Sequence, residues 1–214
     1  MLDFEFMLQI APKMFSALWI TVQLSCLAVL FSILFGAILT AIRMLGGRLS
    51  RYAVICFVEF TRGTPPLVHI SIIYFLMPQI GVMLNEFWSG VVALSLIGAG
   101  YTIEIFRGAI ESIPAGQTDA GRALGLSRIQ SFFLVLLPQA TRRSLPPLTN
   151  ELANVVKASS LLSVISVNEL TKVANDLIFF HFVVIEVLIQ LTCLYLLIVG
   201  VLMMLSRTLE KRLA

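Results

Sequence analysis

Charged side chains interrupt two otherwise apolar stretches of this sequence, and the first of them holds Glu59 and Arg62. Three residues apart on a helix, this acid and this base share one face and can neutralise each other. The next residues, 63–66 (Gly-Thr-Pro-Pro), break the helix, because proline lacks an N–H donor and Pro65 displaces Thr64 from the α region. Two interpretations stay open: a structural ion pair at a kink, or a gate or substrate contact beside a pathway.

The second stretch follows the Pro-Pro pair at 146–147, which we expect to interrupt its helix. At about 100° per residue, three of its polar residues fall within a stripe roughly 60° wide: Asn150, Asn154 and Lys157. Glu151 lies at the flank of this stripe. Because lipid does not tolerate such a surface, the stripe faces protein or water. A hydrogen-bonded seam between helices and a hydrophilic translocation path both account for it.

Composition places these stretches in a membrane. Of 214 residues, 58% are hydrophobic and 13% are charged, and the mean hydropathy is +0.96. Ordinary soluble domains carry about 25% charged residues, so this is an integral membrane protein. Its long apolar runs predict helical spans and an all-α fold. The net charge of +3 bears on orientation in the bilayer rather than on nucleic acid.

A span needs about 20 apolar residues, and the chain 1–214 reads as one domain with five of them. The predicted spans are 14–42, 52–76, 87–105, 132–162 and 177–206. The segments after spans one, three and five are rich in Lys and Arg, whereas the opposite side holds Lys13 and Lys172. By the positive-inside rule the N-terminus lies outside, and the loop 112–130 and the C-terminus lie in the cytoplasm.

The loop 112–130 shows two consecutive helix caps. Pro114 suits a first helical turn, and Gly125 followed by Leu126 has the form of a C-cap with a left-handed glycine. Ser127 and Gln130 then form a capping box that begins the next helix. The sequence therefore predicts a short helix, a glycine elbow, and a helix that enters the membrane.

The sequence lacks the motifs of several enzyme classes. No lysine follows a glycine as in a phosphate-binding loop, and no His/Cys/Asp cluster has metal-ligand spacing. No nucleophile has a base within recognisable reach in the sequence. We therefore expect no catalytic residue, metal or cofactor in this chain. His69 and Glu186, single polar residues in apolar spans, are interpreted as packing residues rather than ligands.

Residues 116–126 (GQTDAGRALGL) and 137–140 (LPQA) resemble the EAA loop of ABC-importer permease subunits, in the branch for polar amino acids. Supporting stretches follow in order: 59–65, 104–108, 145–151 and 157–161. The match covers nearly the whole chain, and two departures are visible. The EAA triplet reads Asp119-Ala120-Gly121, and Ala158 replaces the acid or amide that usually follows the lysine.

The resemblance implies the type I importer core of five helices in a bacterial inner membrane, with an identical or homologous second permease. An extracytoplasmic binding protein would deliver an amino acid, and an ABC ATPase dimer would power alternating access from the cytoplasm. The residues implied to couple to the ATPase are Gly116, Asp119, Ala120, Gly121, Leu124 and Gly125. Energy would then come from the partner.

An amino acid brings an ammonium and a carboxylate, and both need partners once they leave water. We expect Glu151 and Asn150 to meet the cationic end. Arg62, or N–H groups near the break at Thr64, would meet the carboxylate, while Glu59 keeps Arg62 paired.

Two other classes remain as alternatives. One is a secondary transporter driven by an ion gradient, with Glu59, Glu151 or Glu186 as proton carriers. Five spans and the absence of an inverted repeat weigh against it. The other is a purely structural membrane subunit, and the polar stripe weighs against that.

Overall fold

A computed structural model describes the backbone of residues 2–213 and the side chains of residues 2–208. This part of the chain forms α-helices joined by short turns, and it contains no strand. In chain order the α-helices are α1 (Phe4–Leu45), α2 (Arg48–Gly63), α3 (Pro66–Ser71), α4 (Glu86–Glu111), α5 (Ala115–Ala123), α6 (Arg128–Ser131), α7 (Leu137–Ala158), α8 (Leu170–His181) and α9 (Ile185–Leu213). Wider π turns occur at Ile72–Leu76 and Phe132–Leu136, and tighter 3₁₀ turns at Met77–Ile80 and Ser159–Ile165.

The longest helix, α1, packs against α4 along a stripe of small side chains. Four of its buried residues recur at every fourth position: Ala28, Ser32, Gly36 and Thr40. The Ser32 hydroxyl donates to the carbonyl of Ser95 on α4 over 3.2 Å. Helices in lipid gain little from burying apolar surface, so small residues that let two backbones approach closely stabilise this pair.

The end of α2 is held against α4 by a close approach at Gly100. A Cβ atom on Gly100 would lie 2.0 Å from the Thr61 hydroxyl oxygen, so no larger residue fits without movement. Thr61 is buried, and its hydroxyl donates to the carbonyl of Phe57 over 2.9 Å. This contact fixes the position of Arg62, the next residue, relative to α4.

Three helical segments are long and apolar enough to cross a membrane: Phe4–Leu45, Glu86–Glu111 and Ile185–Thr208. The two other predicted spans are less uniform, because the second divides at Thr64–Pro65 and the fourth carries polar side chains. The predicted fifth span also divides. Helix α8 continues to His181, Phe182 adopts a positive φ of 55°, and α9 begins at Ile185.

The expected interruption at 146–147 is wrong, because α7 continues through both prolines. The two rings leave the carbonyls of Arg142 and Arg143 without their usual helical partners. Both of these residues are exposed at the elbow end of α7, where solvent can satisfy the carbonyls. The local cost of each proline is therefore smaller than in a buried helix interior.

Candidate functional site

The chain breaks between α2 and α3, as the sequence predicted. Thr64 and Pro65 have extended backbone (ψ of 140° and 138°), and Pro66 occupies the first turn of α3. Buried His69 lies in the first turns of α3, where its Nδ1 is 3.2 Å from the carbonyl oxygen of Pro65 at the break. Its ring also packs edge-on against Phe60, with centroids 4.8 Å apart. His69 thus acts as a packing residue of the break.

A cavity of about 240 Å³ lies beside this break, between α3, α4 and α7. Its walls are largely apolar, and its lining residues are Pro66, Leu94, Ile97, Tyr101, Glu151, Asn154, Val155 and Ala158. Only 9% of Glu151 is exposed, and Asn154 Nδ2 donates to its Oε2 over 3.3 Å. A carboxylate set in an apolar wall is typical of a small-molecule site, where a few polar groups fix the orientation of the ligand.

Arg62 and Lys157 supply positive charge near this cavity, since the charges of both act on the Glu151 carboxylate. The guanidinium carbon of Arg62 lies 5.4 Å from the ring centroid of Tyr101, which lines the cavity. Arg62 Nη1 also lies 3.9 Å from Glu104 Oε2. The site therefore offers a carboxylate in the cavity wall and a guanidinium beside Tyr101, the charges needed for the two ends of a zwitterion.

Glu104 joins three arginines at the end of the site. It pairs with Arg43 on α1, with Arg62 on α2 and, at 2.7 Å, with Arg107 on its own helix. The expected ion pair between Glu59 and Arg62 is wrong: Glu59 is exposed, and no salt bridge among residues 2–208 involves it.

The structure places the other predicted site residues, Glu151, Thr64 and Asn150, at different positions relative to the cavity. Glu151 lines the cavity, and Thr64 lies at the break one residue before Pro65. Asn150 is exposed and is not among the residues that line the cavity, so its role stays a prediction. Glu186, interpreted from the sequence as a packing residue, is buried at the start of α9, where its Oε1 accepts from the backbone N–H of Asp3 over 3.1 Å.

Sequence reasoning missed Tyr101 as a cavity residue and Glu104 as the partner of Arg62. The sequence does contain a pattern that indicates Tyr101: Leu94, Ile97 and Tyr101 follow helical spacing, and the three residues line the cavity together. No comparable sequence pattern indicates Glu104 as the partner of Arg62. Arg62 and Glu104 lie on different helices, and only the packing of α2 against α4 brings them together.

The glycine elbow between α5 and α6 has the predicted geometry. Gly125 has a φ of +75°, and its N–H donates to the carbonyl of Arg122 over 2.9 Å. The N–H of Leu126 donates to the carbonyl of Gly121 over 3.0 Å, which completes a Schellman motif. The Ser127–Gln130 capping box is also confirmed, with both reciprocal hydrogen bonds present.

One face of α5 and the elbow is exposed. The exposed residues among those implied in coupling are Gly116, Asp119, Ala120, Leu124 and Gly125. Leu124 is the large apolar side chain among them, with 81% of its surface exposed. Gly121 differs because it is buried, where a Cβ would lie 3.1 Å from the Ser131 hydroxyl oxygen. Gly121 therefore allows α5 to pack closely against Ser131 of α6.

No group of three His, Cys, Asp or Glu side chains is arranged to hold a metal ion in the part of the chain that the structure describes.

Comparison with known proteins identifies one family. Residues 14–214 match the family described as binding-protein-dependent transport system inner membrane component. The glutamine transport system permease protein GlnP of Escherichia coli is 35% identical over 203 residues, 94% of this chain and 93% of that protein. The L-cystine transport system permease protein TcyB of Bacillus subtilis is 37% identical over 166 residues, 78% of this chain and 71% of that protein.

Solved structures agree with this result. A crystal structure of an amino acid ABC transporter with histidines matches with a TM-score of 0.91 and 30% identity, covering 99% of each chain. An inward-facing MetNI methionine ABC transporter shares the fold, with a TM-score of 0.84 at 17% identity over 96% of this chain and 98% of that one. The resemblance to ABC-importer permeases and the type I permease fold are confirmed.

Proposed function

We propose that this chain, which belongs to the family of inner-membrane components of binding-protein-dependent transport systems, carries polar amino acids through the membrane as one subunit of an ATP-driven importer. The names of the glutamine and cystine permeases support this substrate class. A separate ATPase dimer drives the cycle, and an extracytoplasmic protein delivers the substrate. The N-terminus lies outside, and the elbow and C-terminus lie in the cytoplasm.

The observation that carries this proposal is the buried carboxylate of Glu151 in the cavity. Among residues 2–208, no base lies within salt-bridge distance of it. A buried charge without a close partner is costly, so a cationic ligand group that enters the cavity gains a strong interaction. Asn154 orients the carboxylate that meets this group.

Arg62 meets the other end of the amino acid in this proposal. Its pairing with Glu104 is long, at 3.9 Å, and Glu104 already has two closer arginines. The guanidinium can therefore turn toward a substrate carboxylate without leaving Glu104 unpaired. The extended backbone at Thr64 lies beside it and lets α2 and α3 shift as the site opens and closes.

The elbow transmits the motion of the ATPase. Its exposed face, with Leu124 most prominent, enters a groove of that partner, and the two caps keep α5 and α6 in a fixed relation. Movement of the elbow then passes into α7, because α6, the π turn at Phe132–Leu136 and α7 are continuous. Glu151 and Asn154 lie on α7, so the motion reaches the cavity and supports alternating access.

Uptake into vesicles tests this function. The chain is reconstituted with its ATPase and binding protein, and uptake of labelled glutamine and arginine is measured with ATP enclosed. Glu151→Gln removes a charged partner worth about 1.5–3 kcal/mol, so we expect uptake affinity to fall about ten- to hundredfold. Basal ATP hydrolysis should persist. Glu5→Gln, which neutralises an exposed acid in the first turn of α1, is the matched control.

Two results would contradict the proposal. Uptake that ignores ATP and collapses with a proton ionophore would favour the secondary transporter. Unchanged apparent affinity and rate in Glu151→Gln would give that residue a structural role.

A further inference from the structure

A second cavity, remote from Glu151, lies where the elbow meets the end of α1. It encloses about 210 Å³ and combines basic, hydroxyl and apolar groups: Arg122, Arg128, Ser131, Met44, Phe132 and Leu136. We call it the elbow cavity. The proposed transport mechanism places no ligand in it.

Ser131 is the clearest sign that the elbow cavity takes a polar ligand. The residue is 4% exposed, and its hydroxyl has no hydrogen-bond partner within the part of the chain that the structure describes. A buried hydroxyl without a partner is destabilising, and natural proteins seldom leave one. A ligand atom in the cavity would satisfy it.

Two arginines in the cavity wall, Arg122 and Arg128, favour a negatively charged ligand. Arg128 lines the cavity, and its guanidinium donates through Nη2 to the carbonyl of Met44 at the end of α1. Arg122 is exposed, and its one ion pair among the described side chains is with Asp119 at 3.3 Å on the same helix. Exposed pairs of this kind are weak. The planar guanidinium fork matches the oxygen geometry of phosphate better than a lysine does.

An apolar groove of about 370 Å³ lies beside the elbow cavity, between α1, α4 and the π turn that leads into α7. Ile38, Ala41, Phe106 and Phe133 line it, and Phe132 lines both spaces. Its one hydroxyl, on Thr40, already donates to the carbonyl of Gly36 over 2.7 Å. The groove therefore suits a hydrocarbon chain.

We propose that the elbow cavity and this groove together bind one anionic phospholipid of the leaflet on the elbow side. Its phosphate lies among Arg122, Arg128 and Ser131, and one acyl chain follows the groove beside Phe132. A free phosphate would fill only the cavity, and a protein side chain would have to enter the groove through lipid. Anionic lipids are attracted to basic groups at the membrane surface, and here a shaped site adds to that attraction.

Lipid titration of the purified full-length chain tests the proposal. Native mass spectrometry compares binding of phosphatidylglycerol and phosphatidylcholine with identical acyl chains. We expect about tenfold tighter binding of phosphatidylglycerol, and loss of this preference in Arg128→Gln. Arg51→Gln removes an exposed charge beside the same end of α1 but outside the cavity, so it should keep the preference. Ala41→Trp fills the groove and should weaken both lipids about equally.

Three results would overturn the proposal. Equal loss of preference in Arg51→Gln would mean unspecific attraction by surface charge. Displacement of the lipid by inorganic phosphate at the same concentration would mean an anion site without an acyl chain. An unchanged lipid preference in Arg128→Gln, together with weaker assembly with the ATPase, would assign the cavity to the protein interface.

Discussion

The elbow and the Glu151 cavity are built in opposite ways. Apart from the bond from Arg128 to the carbonyl of Met44, the hydrogen bonds of the elbow between Gly121 and Gln130 join residues no more than five positions apart. The cavity instead collects its walls from α3, α4 and α7, and Arg62 reaches it from α2. One region is local and exposed, whereas the other depends on how four helices pack.

This difference suits the two roles that we propose. A unit held together by its own caps keeps its shape when it is pushed, so it can transmit a force from a partner. A cavity made between helices changes shape when those helices move, so it can open and close around a ligand. Substitutions should therefore separate the two regions.

The largest effect is expected where the helix packing around the cavity is disrupted. Gly100→Leu places a side chain where a Cβ alone would lie 2.0 Å from Thr61. Overpacking of this kind typically costs about 1–3 kcal/mol or more, and the end of α2 must move away from α4. We expect a lower melting temperature and loss of uptake, measured by thermal unfolding of the purified chain and by vesicle assays.

Gly108→Leu is the matched control, because it lies on the same helix and a Cβ there meets nothing within 4 Å. It should leave stability and uptake close to wild type. Equal damage from both variants would mean that the close approach at Gly100 has no special role in the cavity.

The next effect should fall on the elbow alone. Gly125 has a φ of +75°, which a β-branched residue adopts at a cost of about 1–3 kcal/mol. Gly125→Val should therefore reduce co-purification with the ATPase and uptake, while amino-acid binding by the chain, measured by calorimetry, stays intact. Gly125→Asn should largely retain assembly, because asparagine tolerates this conformation. Wild-type assembly in Gly125→Val would contradict the coupling role.

The same difference explains what the sequence could and could not predict. Both caps of the elbow and the break at Thr64–Pro65 follow from local chemistry, and the structure confirms them. The partner of Arg62 could not be found in this way. The sequence offers Glu59 three residues earlier, but the packing of α2 on α4 presents Glu104 instead.

Within the site, helical spacing explains which asparagine joins Glu151. Asn154 is three positions further and therefore lies on nearly the same face, where it donates to the carboxylate. Asn150 is one position earlier, about 100° around the helix; it is exposed like Asn154 but does not line the cavity. The sequence predicted the polar stripe of Asn150, Asn154 and Lys157. Which of these side chains lines the cavity depends on how α7 packs against its neighbours.

A smaller effect is expected from the second cap of the elbow. Ser127 accepts a hydrogen bond from the backbone N–H of Gln130, and replacing such a cap by alanine typically costs about 1 kcal/mol. Ser127→Ala should weaken binding of the ATPase by no more than about fivefold. The measurement is the dissociation constant of the ATPase from the immobilised chain. A loss as large as that of Gly125→Val would mean that the hydroxyl itself contacts the ATPase.

The smallest effect is expected at Glu59. The carboxylate is exposed, and no salt bridge among the described side chains involves it. Exposed substitutions of this kind usually change stability by less than about 0.5 kcal/mol, so Glu59→Gln should leave uptake and thermal unfolding unchanged. Glu104→Gln is the contrasting variant, because it removes the carboxylate shared by Arg43, Arg62 and Arg107, and it should impair both. Strong loss of uptake in Glu59→Gln with normal unfolding of the isolated chain would place Glu59 at a functional contact with substrate or with the second permease, and would restore it to the transport site.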